Sequence, residues 1–344
     1  MTVQKDVPLA QYTTIGIGGP ARFFVEARSE DEIVGALRWA DDAGVPVFIL
    51  GGGSNILFGD DGFDGLVVKI STSGVEFEEI RNGAVMVASA AGEEWDGLVS
   101  MCSERGLAGI ECLSGIPGTV GGTPIQNVGA YGQEVSQTIV SVRCLDRETQ
   151  RIVDIENADC GFSYRQSIFN TTARRRYVVL SVQFHLRSGE PDLPAYPELR
   201  REMEAGVNEM SPLTIREAVM RLRRQKSMVV DPADPNSRSL GSFFKNPVVT
   251  LEAHRRLCDR FGDVPSFAAE GGVKVPAAWL IEKSGFTKGH VEGNTGISTK
   301  HSLALINRGG ATAAELIAFR DKVAGAVEHR FGIRLVMEPE AVGA

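Results

Sequence analysis

Residues 106–132 read GLAGIECLSGIPGTVGGTPIQNVGAYG, and this stretch decides the fold. Its eight glycines lack a Cβ atom, so the backbone can turn through positive φ and bring main-chain N–H groups close to an anion. The side chains between the glycines, such as Ile110, Leu113 and Ile116, are too apolar for a solvated linker. The stretch therefore predicts a packed, irregular segment that contacts a large ligand. A buried series of turns without a ligand is the alternative.

A second glycine cluster lies at residues 45–57, which read VPVFILGGGSNIL. A buried strand is predicted over residues 47–50, and it runs directly into the glycines. A strand followed by a glycine turn commonly holds a diphosphate through backbone N–H groups. The cluster is not a nucleotide-triphosphatase loop, since no Gly-Lys-Ser/Thr follows, and it lacks the dinucleotide fingerprint GxGxxG. Together, the two clusters predict a large phosphate-bearing cofactor.

The composition limits the class of protein. The chain has 344 residues, enough for two or three domains, and its net charge of −8 argues against extensive binding to nucleic acid or membrane surfaces. Five cysteines without a CxxC pair indicate neither a zinc site nor a disulfide framework. Residues 1–14 lack the apolar core of a signal peptide, and no apolar run approaches the ~20 residues of a membrane helix. We therefore expect a cytoplasmic protein.

Periodic patterns place the first glycine turn within a β-α-β unit. A strand is predicted over residues 22–27, followed by a helix that Ser29 and Glu32 open with a capping-box pattern. The strand at 47–50 follows this helix. We expect this unit to end near residue 66.

Two further capping-box patterns, Thr214/Glu217 and Thr312/Glu315, predict helices in the second half of the chain. Residues 190–212 lie before them and are rich in proline and charge, so a surface excursion or a domain link is expected there.

The helix expected from Thr214 ends in four cations, Arg221, Arg223, Arg224 and Lys226. Cations at a helix C-terminus complement the helix dipole. The same cluster could instead bind a diphosphate, and the pattern leaves both interpretations open.

Four motifs follow one another along the chain: GGGSNIL (51–57), SGIPGTVGGTPIQNVGAYG (114–132), FSYRQSIF (162–169) and GSFFKNP (241–247). In that order the chain resembles the UDP-N-acetylenolpyruvoylglucosamine reductases, the flavoenzymes that complete UDP-N-acetylmuramate synthesis for bacterial cell walls. The resemblance covers nearly the whole chain, and its GAYG and SFFKNP elements are specific. Tyr196, in a proline-bounded loop, resembles the tyrosine with which the longer form of the family closes over its substrate.

The resemblance implies an α+β fold. It would consist of an FAD-binding fold of the vanillyl-alcohol-oxidase type in two subdomains, plus a third α+β domain that binds the substrate. The implied boundaries are 1–66 for the first FAD-binding subdomain, 67–212 for the second and 213–331 for the substrate-binding domain. A C-terminal strand at 332–344 would return to the first subdomain near the active site.

The implied cofactor is tightly but non-covalently bound FAD, with NADPH as co-substrate. The FAD diphosphate and ribityl chain would be held by backbone N–H groups of the two glycine clusters. The implied cofactor-binding residues are Gly51, Gly52, Gly53, Ser54, Asn55, Ile56, Ser114, Ile116, Pro117, Gly118, Thr119, Gly121, Gly122, Asn127 and Gly129.

The implied reaction has two halves, in which NADPH reduces the flavin and the enolpyruvyl sugar then takes the hydride and a proton. An enol ether accepts hydride only if its carboxylate can hold the developing charge, so donors at that carboxylate are the main requirement. Arg165, in YRQS, matches the family's arginine for this task, and Glu340, in EPEA, matches the glutamate beside it. A glutamate helps an anion only when it is protonated or acts through a donor between them. Ser242 matches the proton donor, which would meet a strongly basic, carbanion-like carbon.

The C-terminal sequence departs from the family pattern. Glu340 is followed by AVGA, where relatives commonly continue with valine, arginine and a short tail. Glu338 lies two residues earlier, on the same side of the strand expected over 333–344. Glu338 is therefore the alternative to Glu340.

Four residues match substrate-binding positions of the family: Tyr164, Tyr196, Lys226 and Asn246. The implied partners are the small molecules UDP-N-acetylglucosamine enolpyruvate and NADPH, with no metal, nucleic acid or membrane. We expect the chain to act as a monomer.

Two other functions are compatible with the glycine clusters. A flavin oxidase could share the cofactor fold, but such oxidases often tether FAD through a histidine, and neither glycine cluster contains one. A non-catalytic UDP-sugar-binding protein that has lost the flavin would not need intact glycine clusters.

Overall fold

The chain forms two units, each assembled from segments that are distant in the sequence. Unit 1 comprises Met1–Lys5, Phe23–Gly52 and Asp64–Val229, and unit 2 comprises Asp6–Arg22, Gly53–Phe63 and Val230–Ala344. The structure is a computed structural model that describes residues 1–80, 83–192, 194, 196–206 and 209–343. The functional division at residues 66, 212 and 331 stays a prediction, and the compact units divide the chain at other places.

Seven α-helices lie in the described part of the chain: α1 (Glu30–Ala43), α2 (Trp95–Glu104), α3 (Pro197–Gly206), α4 (Pro212–Gln225), α5 (Leu251–Phe261), α6 (Ala277–Lys283) and α7 (Ala313–Phe331). The strands of the same ranges are β1 (Gln4–Pro8), β2 (Pro20–Ala27), β3 (Val47–Leu50), β4 (Ile56–Phe58), β5 (Phe63–Ile70), β6 (Val75–Glu79), β7 (Ala84–Ala90), β8 (Leu107–Ala108), β9 (Gly129–Ala130), β10 (Gln133–Glu134), β11 (Ile139–Asp146), β12 (Arg151–Glu156), β13 (Tyr177–Ser188), β14 (Val248–Val249), β15 (Phe267–Ala269), β16 (Gly272–Lys274), β17 (Val291–Glu292), β18 (Thr295–Ile297), β19 (Leu305–Asn307) and β20 (Glu340–Val342).

The predicted β-α-β unit is present. Strands β2 and β3 flank helix α1, and β3 pairs in parallel with β5 in a sheet of order β1-β2-β5-β3. Ser29 caps α1 by accepting the N–H of Glu32 over 3.2 Å. The Glu32 carboxylate accepts the N–H of Arg28 instead of closing the capping box on Ser29. The strand before the first glycine turn is therefore fixed by a parallel neighbour and a packed helix.

The main sheet of unit 1 is antiparallel, in the order β12-β11-β13-β7-β6, and β8 pairs with the end of β13. Alternate residues of β13 are buried, as a strand with one core-facing side requires. Among them, the ring of Phe184 lies 5.9 Å from that of Trp95 in α2. The indole N–H of Trp95 donates to the carbonyl oxygen of Leu113, so this core holds the start of the long glycine stretch.

The region expected to be a surface excursion contains helix α3. Pro197 begins the helix, where its missing N–H costs no hydrogen bond. Leu199 and Met203, one turn apart, are buried against α4, with 0% and 3% of their surface exposed. Leu199 and Met203 indicate one apolar helix face. They were overlooked in the sequence because prolines and charges dominate the composition of residues 190–212.

The N-cap of helix α4 lies three residues before the predicted one. Ser211 is its N-cap and forms the capping box with Thr214, and Pro212 occupies the first turn. The predicted Thr214/Glu217 box is therefore wrong. The sequence Ser-Pro satisfies the start of a helix more directly, because proline is already fixed at a helical φ.

Unit 2 packs short antiparallel strands against helices. Its sheets are β14-β16-β15 and β17-β18-β19, with the separate parallel pair β20-β4. The predicted Thr312/Glu315 capping box of α7 is confirmed. The Asp60 carboxylate also accepts the N–H groups of Ala313 and Ala314, so two more N-terminal donors of α7 are satisfied.

The predicted C-terminal strand is mostly irregular. Of the described residues 333–343, Glu340–Val342 form a strand, and before it Met337 makes an isolated bridge to Phe244. Pro339 stands directly before this strand, and it has no N–H to donate to a ladder. The prediction of a strand over 333–344 is therefore wrong for its first half. No helix in the described ranges is long and apolar enough to span a membrane.

Candidate active site

The two glycine clusters meet within unit 1 at Gly52 and Gly118. A Cβ atom on Gly52 would lie 2.5 Å from the Cα atom of Gly118, and one on Gly51 would lie 2.8 Å from the hydroxyl of Thr119. No side chain fits between two backbones at such distances. The approach therefore requires glycine, and it brings the main chains of both clusters together.

Four consecutive residues of the long stretch form an accessible window between buried ones. Residues 116–119 (Ile116, Pro117, Gly118 and Thr119) are half-buried, as are Gly51 and Gly52, whereas Ser114, Gly115 and Val120 are buried. The accessible window coincides with the place where the two clusters meet. A cradle made of backbone, open on one side, fits a diphosphate bound through N–H groups.

Three N–H groups beyond this window are engaged inside the protein. Val120 donates to Glu93, Gly121 to Ala91 and Gly122 to Thr119, over 2.8–2.9 Å. A contact of Gly121 or Gly122 with a cofactor would therefore use another atom than the N–H. The prediction that backbone N–H groups bind the cofactor rests on the earlier positions.

Ser114 and Asn127 are buried, with 0% and 1% of their surface exposed. Ser114 donates its hydroxyl to the carbonyl oxygen of Glu111 over 2.6 Å. Asn127 donates both amide hydrogens, to Glu134 over 2.7 Å and to the carbonyl oxygen of Ser163 over 3.1 Å. Both side chains stabilise the turns, and their predicted contact with a cofactor stays a prediction.

Arg165 is held against the GAYG motif. Its Nη2 donates to the carbonyl oxygen of Gly129 over 2.9 Å, and its guanidinium carbon lies 5.3 Å from the centre of the Tyr164 ring. The backbone φ of Arg165 is +58°, a left-handed conformation that is uncommon for a non-glycine residue. Such strained positions concentrate at functional sites, so the conformation supports a functional role for Arg165.

Tyr196 and Lys226 lie among other polar groups of unit 1. The rings of Tyr196 and Tyr131 meet edge to face with centroids 5.3 Å apart. Lys226 is the C-cap residue of α4, and its ammonium contacts the carboxylate of Glu198 in α3 over 2.5 Å. Tyr196 directly precedes α3, so one short segment carries both the tyrosine and the partner of the lysine.

A charged network behind the glycine stretch escaped the sequence analysis. Asp96 receives both guanidinium nitrogens of Arg216, over 2.5 and 2.9 Å, and the N–H of Gly115 over 2.5 Å. Burial alone would raise the pKa of Asp96, but the hydrogen bonds from Arg216 and Gly115 outweigh it, so this pKa lies below its usual value. The network therefore fixes the residue that leads into the accessible window.

The cations at the end of α4 have different environments. Arg223 is buried, with 7% of its surface exposed, and it donates Nη2 to the carbonyl oxygen of Met228 over 2.6 Å. Within the described ranges its Nε has no hydrogen-bond partner, and burial lowers its pKa. Arg221 pairs with Glu202 over 2.9 Å, and Arg224 is exposed. The cluster is therefore not a uniform basic surface.

In unit 2, the segment that carries Ser242 is bonded to the C-terminal segment. Glu338 donates its N–H to the carbonyl oxygen of Phe243 over 2.9 Å, and Lys245 donates to Val336 over 2.9 Å. Phe243 also donates to Leu303 over 2.8 Å. Ser242 is half-buried and stands next to Phe243, whose N–H and carbonyl oxygen are both hydrogen-bonded.

Glu340 is fixed by the second half of the GGGSNIL motif. Its N–H donates to the carbonyl oxygen of Asn55 over 2.9 Å, and it pairs with Ile56 as β20 runs along β4. The Asn55 amide reaches the carbonyl oxygen of Glu338 at 3.5 Å. The N–H groups of Glu338 and Glu340 therefore have different partners, Phe243 and Asn55, although both residues are half-buried.

Gly53 and Ser54 belong to unit 2, like Asn55 and Ile56. A Cβ atom on Gly53, which has a φ of +64°, would lie 1.8 Å from the carbonyl oxygen of Tyr12. Thr14 donates its N–H to the carbonyl oxygen of Gly53 over 3.1 Å. Only glycine therefore fits at position 53, where the GGGSNIL turn packs on the segment 12–14.

Asn246 has a structural contact that the sequence did not indicate. Its Oδ1 accepts the N–H of Ala277, the first residue of α6, over 2.8 Å. The amide oxygen thus caps a helix, which leaves the Nδ2 hydrogens as the groups with which it would bind a substrate. Within the described residues, no three His, Cys, Asp or Glu side chains are grouped so as to hold a metal ion.

Comparison with known proteins agrees with this arrangement. Residues 21–156 match the model of the FAD binding domain, and residues 232–342 match that of the UDP-N-acetylenolpyruvoylglucosamine reductase C-terminal domain. The UDP-N-acetylenolpyruvoylglucosamine reductase of Thermobifida fusca is 47% identical over 349 residues, with 98% of each chain covered. The reductase of Streptomyces coelicolor is 48% identical over 350 residues, with 98% of this chain and 90% of that one covered.

The fold comparison agrees with the sequence comparison. The crystal structure of the reductase from Thermus caldophilus aligns over 99% of both chains with a TM-score of 0.67 at 24% identity. The predicted α+β fold with an FAD-binding half is confirmed. With relatives above 45% identity over nearly its full length, the chain belongs to the UDP-N-acetylenolpyruvoylglucosamine reductase family and is an FAD-dependent oxidoreductase.

Proposed function

We propose that this chain reduces UDP-N-acetylglucosamine enolpyruvate to UDP-N-acetylmuramate for peptidoglycan synthesis, with NADPH as the source of the hydride. The assignment of Ser242 as the proton donor rests on the hydrogen bonds between two segments of unit 2. The backbone beside Ser242 is hydrogen-bonded to the backbone of Glu338, two residues before Glu340. The segment that carries the Ser242 hydroxyl is thus fixed against the segment that carries the two glutamates, which supports proton transfer beside a carboxylate.

FAD would be held by Gly51, Gly52 and residues 116–119, and it supplies the hydride transfer between NADPH and the substrate. The close approach of Gly52 to Gly118 supports this placement, because it brings the main chains of both glycine clusters to one accessible place. The Asp96–Arg216 network would hold this cradle in shape through Gly115.

Arg165 would stabilise the negative charge that develops on the substrate's carboxylate. Its guanidinium has five donors, and Nη2 uses one of them on Gly129. The bond to Gly129 fixes the side chain before the substrate arrives, and preorganised donors of this kind are the usual largest contribution to such catalysis.

Ser242 would donate a proton to the carbon next to the substrate's carboxylate. A serine hydroxyl is a weak acid, so the transfer needs a strongly basic acceptor, which the enediolate-like carbon provides. Glu340 would act at the same carboxylate together with Arg165. The strand pairing of Glu340 with Ile56 supports its choice over Glu338, because Glu338 lies outside the β4–β20 pair.

The remaining predicted residues would bind the nucleotide sugar. Tyr164, Tyr196 and Asn246 would contribute hydrogen bonds, and Lys226 would meet the diphosphate. We also propose that the protein acts as a monomer in the cytoplasm, where NADPH is available as a reductant.

A visible absorption spectrum of the purified protein tests this proposal. We expect flavin absorption that is bleached by NADPH without oxygen and restored by the enolpyruvyl sugar. Restoration by oxygen alone, with no faster recovery on adding the sugar, would favour an oxidase. A flavoprotein that NADPH cannot bleach would contradict the proposed donor.

A further inference from the structure

The contact between Glu198 and Lys226 bears on how the nucleotide sugar is bound. The two charged groups approach to 2.5 Å, and 35% and 31% of their side-chain surfaces are exposed. Lys226 is expected to meet the diphosphate, yet in this structure its ammonium already contacts a carboxylate. A carboxylate and a phosphate are both anionic acceptors, and they compete for the same cation.

The groups around the Glu198 carboxylate are ones that could also bind a phosphate. Besides Lys226, its negative charge acts on Tyr131 and Tyr196, whose rings contact each other. Burial is the main cause that raises the pKa of Tyr131 to about 12; the charge of Glu198 acts in the same direction and that of Arg223 opposes it. Both hydroxyls therefore stay protonated and can donate to a phosphate oxygen near neutral pH.

The helix that carries Glu198 has a second, independent connection to α4. Glu202, one turn later, pairs with Arg221 over 2.9 Å, and Leu199 and Met203 pack against the same helix. Helix α3 is thus held on α4 by apolar contacts and by one ion pair, without needing the Glu198–Lys226 pair. The role of Glu198 need not be the anchoring of α3.

We propose that Glu198 is a displaceable counter-ion of Lys226, whose place the substrate's diphosphate takes. This inference rests on the proposed function, in which Lys226 binds the diphosphate. Glu198 follows Tyr196 by two residues, so its displacement changes the charge beside the tyrosine. Glu198 therefore weakens the binding of the diphosphate.

The test compares the binding of UDP to the FAD-loaded wild type and to Glu198→Gln by isothermal titration calorimetry. Exposed ion pairs contribute little, so we expect Glu198→Gln to bind UDP about two- to fivefold more tightly. The KM for the enolpyruvyl sugar falls by the same factor, and kcat changes by less. If Glu198 instead anchored α3, Glu198→Gln would loosen the helix and weaken the binding of UDP.

Glu202→Gln is the matched control, because it removes the other ion pair between α3 and α4 and leaves Lys226 unchanged. We expect its affinity for UDP to equal that of the wild type, and Glu198→Asp to restore it. Unchanged or weaker binding of UDP by Glu198→Gln overturns the inference. Lys226→Met separates the two proposals: if it binds UDP like the wild type, the role of Lys226 fails, and with it the counter-ion. If Lys226→Met changes the affinity for UDP and Glu198→Gln does not, Lys226 keeps its proposed role and the proposal for Glu198 alone is contradicted.

Discussion

The guanidinium of Arg165 donates to the carbonyl oxygen of Gly129 over 2.9 Å, and the two residues come from separate motifs of the sequence. A Cβ atom on Gly129 would lie 3.3 Å from Nη1 of Arg165 and 2.8 Å from Cγ of Glu134. The GAYG motif is therefore, in part, a support for the arginine that follows it in the chain.

Replacing Arg165 tests its part in catalysis. We expect Arg165→Ala to lower the rate of flavin reoxidation by the enolpyruvyl sugar by about 10²–10³, the usual loss of one charge-stabilising donor. Reduction of the flavin by NADPH should change little, because that step develops no charge on the sugar's carboxylate. Stopped-flow absorbance measures both steps. A loss below tenfold in reoxidation would remove Arg165 from this role.

Ser242→Ala should separate the same two half-reactions for another reason. The alanine has no proton to donate, so we expect reoxidation to slow by about 10² or more, while reduction by NADPH stays near normal. The neighbouring Phe243 keeps its backbone bonds to Leu303 and Glu338, so the fold should be unaffected. If both half-reactions remain fast in stopped-flow traces, Ser242 is not the acid.

The two C-terminal glutamates form a matched pair of variants. We expect Glu340→Gln to lower kcat by about 10², and Glu338→Gln to change it by less than threefold, since only Glu340 joins the GGGSNIL strand. Steady-state kinetics with the enolpyruvyl sugar compares them directly. The reverse order of effects would assign the role to Glu338.

Asp96→Asn should destabilise unit 1 by about 1–3 kcal/mol, the usual effect of weakening a charged hydrogen-bond partner. The pKa of Asp96 is lower in the folded protein than the unfolded value of about 3.9, so its contribution is fully present above that pH. This contribution is lost as the pH falls through the lower, folded value. Urea unfolding of both proteins at pH 7 and below pH 4 measures the difference. A difference that stayed constant down to pH 2 would contradict the charge as its origin.

Tyr196→Phe keeps the aromatic contact with Tyr131 and removes only the hydroxyl. We therefore expect the KM for the enolpyruvyl sugar to rise several-fold, with the reduction by NADPH unchanged, because one hydrogen bond contributes about 1 kcal/mol. Tyr196→Ala also removes the ring contact and should have a larger effect. An unchanged KM in both variants would limit Tyr196 to a structural role.

Much of the fold could be predicted because local patterns decide it. The helix that Thr312 opens follows from its capping box, and the strand into the first glycine turn follows from its apolar run. Helix α3 could not be predicted as readily, since its stability comes from the burial of Leu199 and Met203 on another helix. Composition alone is a poor guide where tertiary contacts decide.

The sequence predicted the residues of the candidate site but not the hydrogen bonds and ion pairs that hold them in place. The motifs indicated Arg165 and Ser242, whereas the pairing of Asp96 with Arg216 joins residues 120 positions apart. No local pattern reports such a contact. The cap that Asn246 provides for α6 was hidden for the same reason, because its partner Ala277 lies 31 residues later.

The parallel pair of β4 and β20 has a consequence for the order in which the chain is made. Ile56 leaves the ribosome more than 280 residues before its partner Glu340, which at about 5–20 residues per second is roughly 15 to 60 s. Throughout that interval Leu57 and Phe58, which are fully buried in the finished protein, have an unpaired strand edge. Chains that stop short of residue 340 keep this edge open, so incomplete translation products should be the aggregating species of this protein.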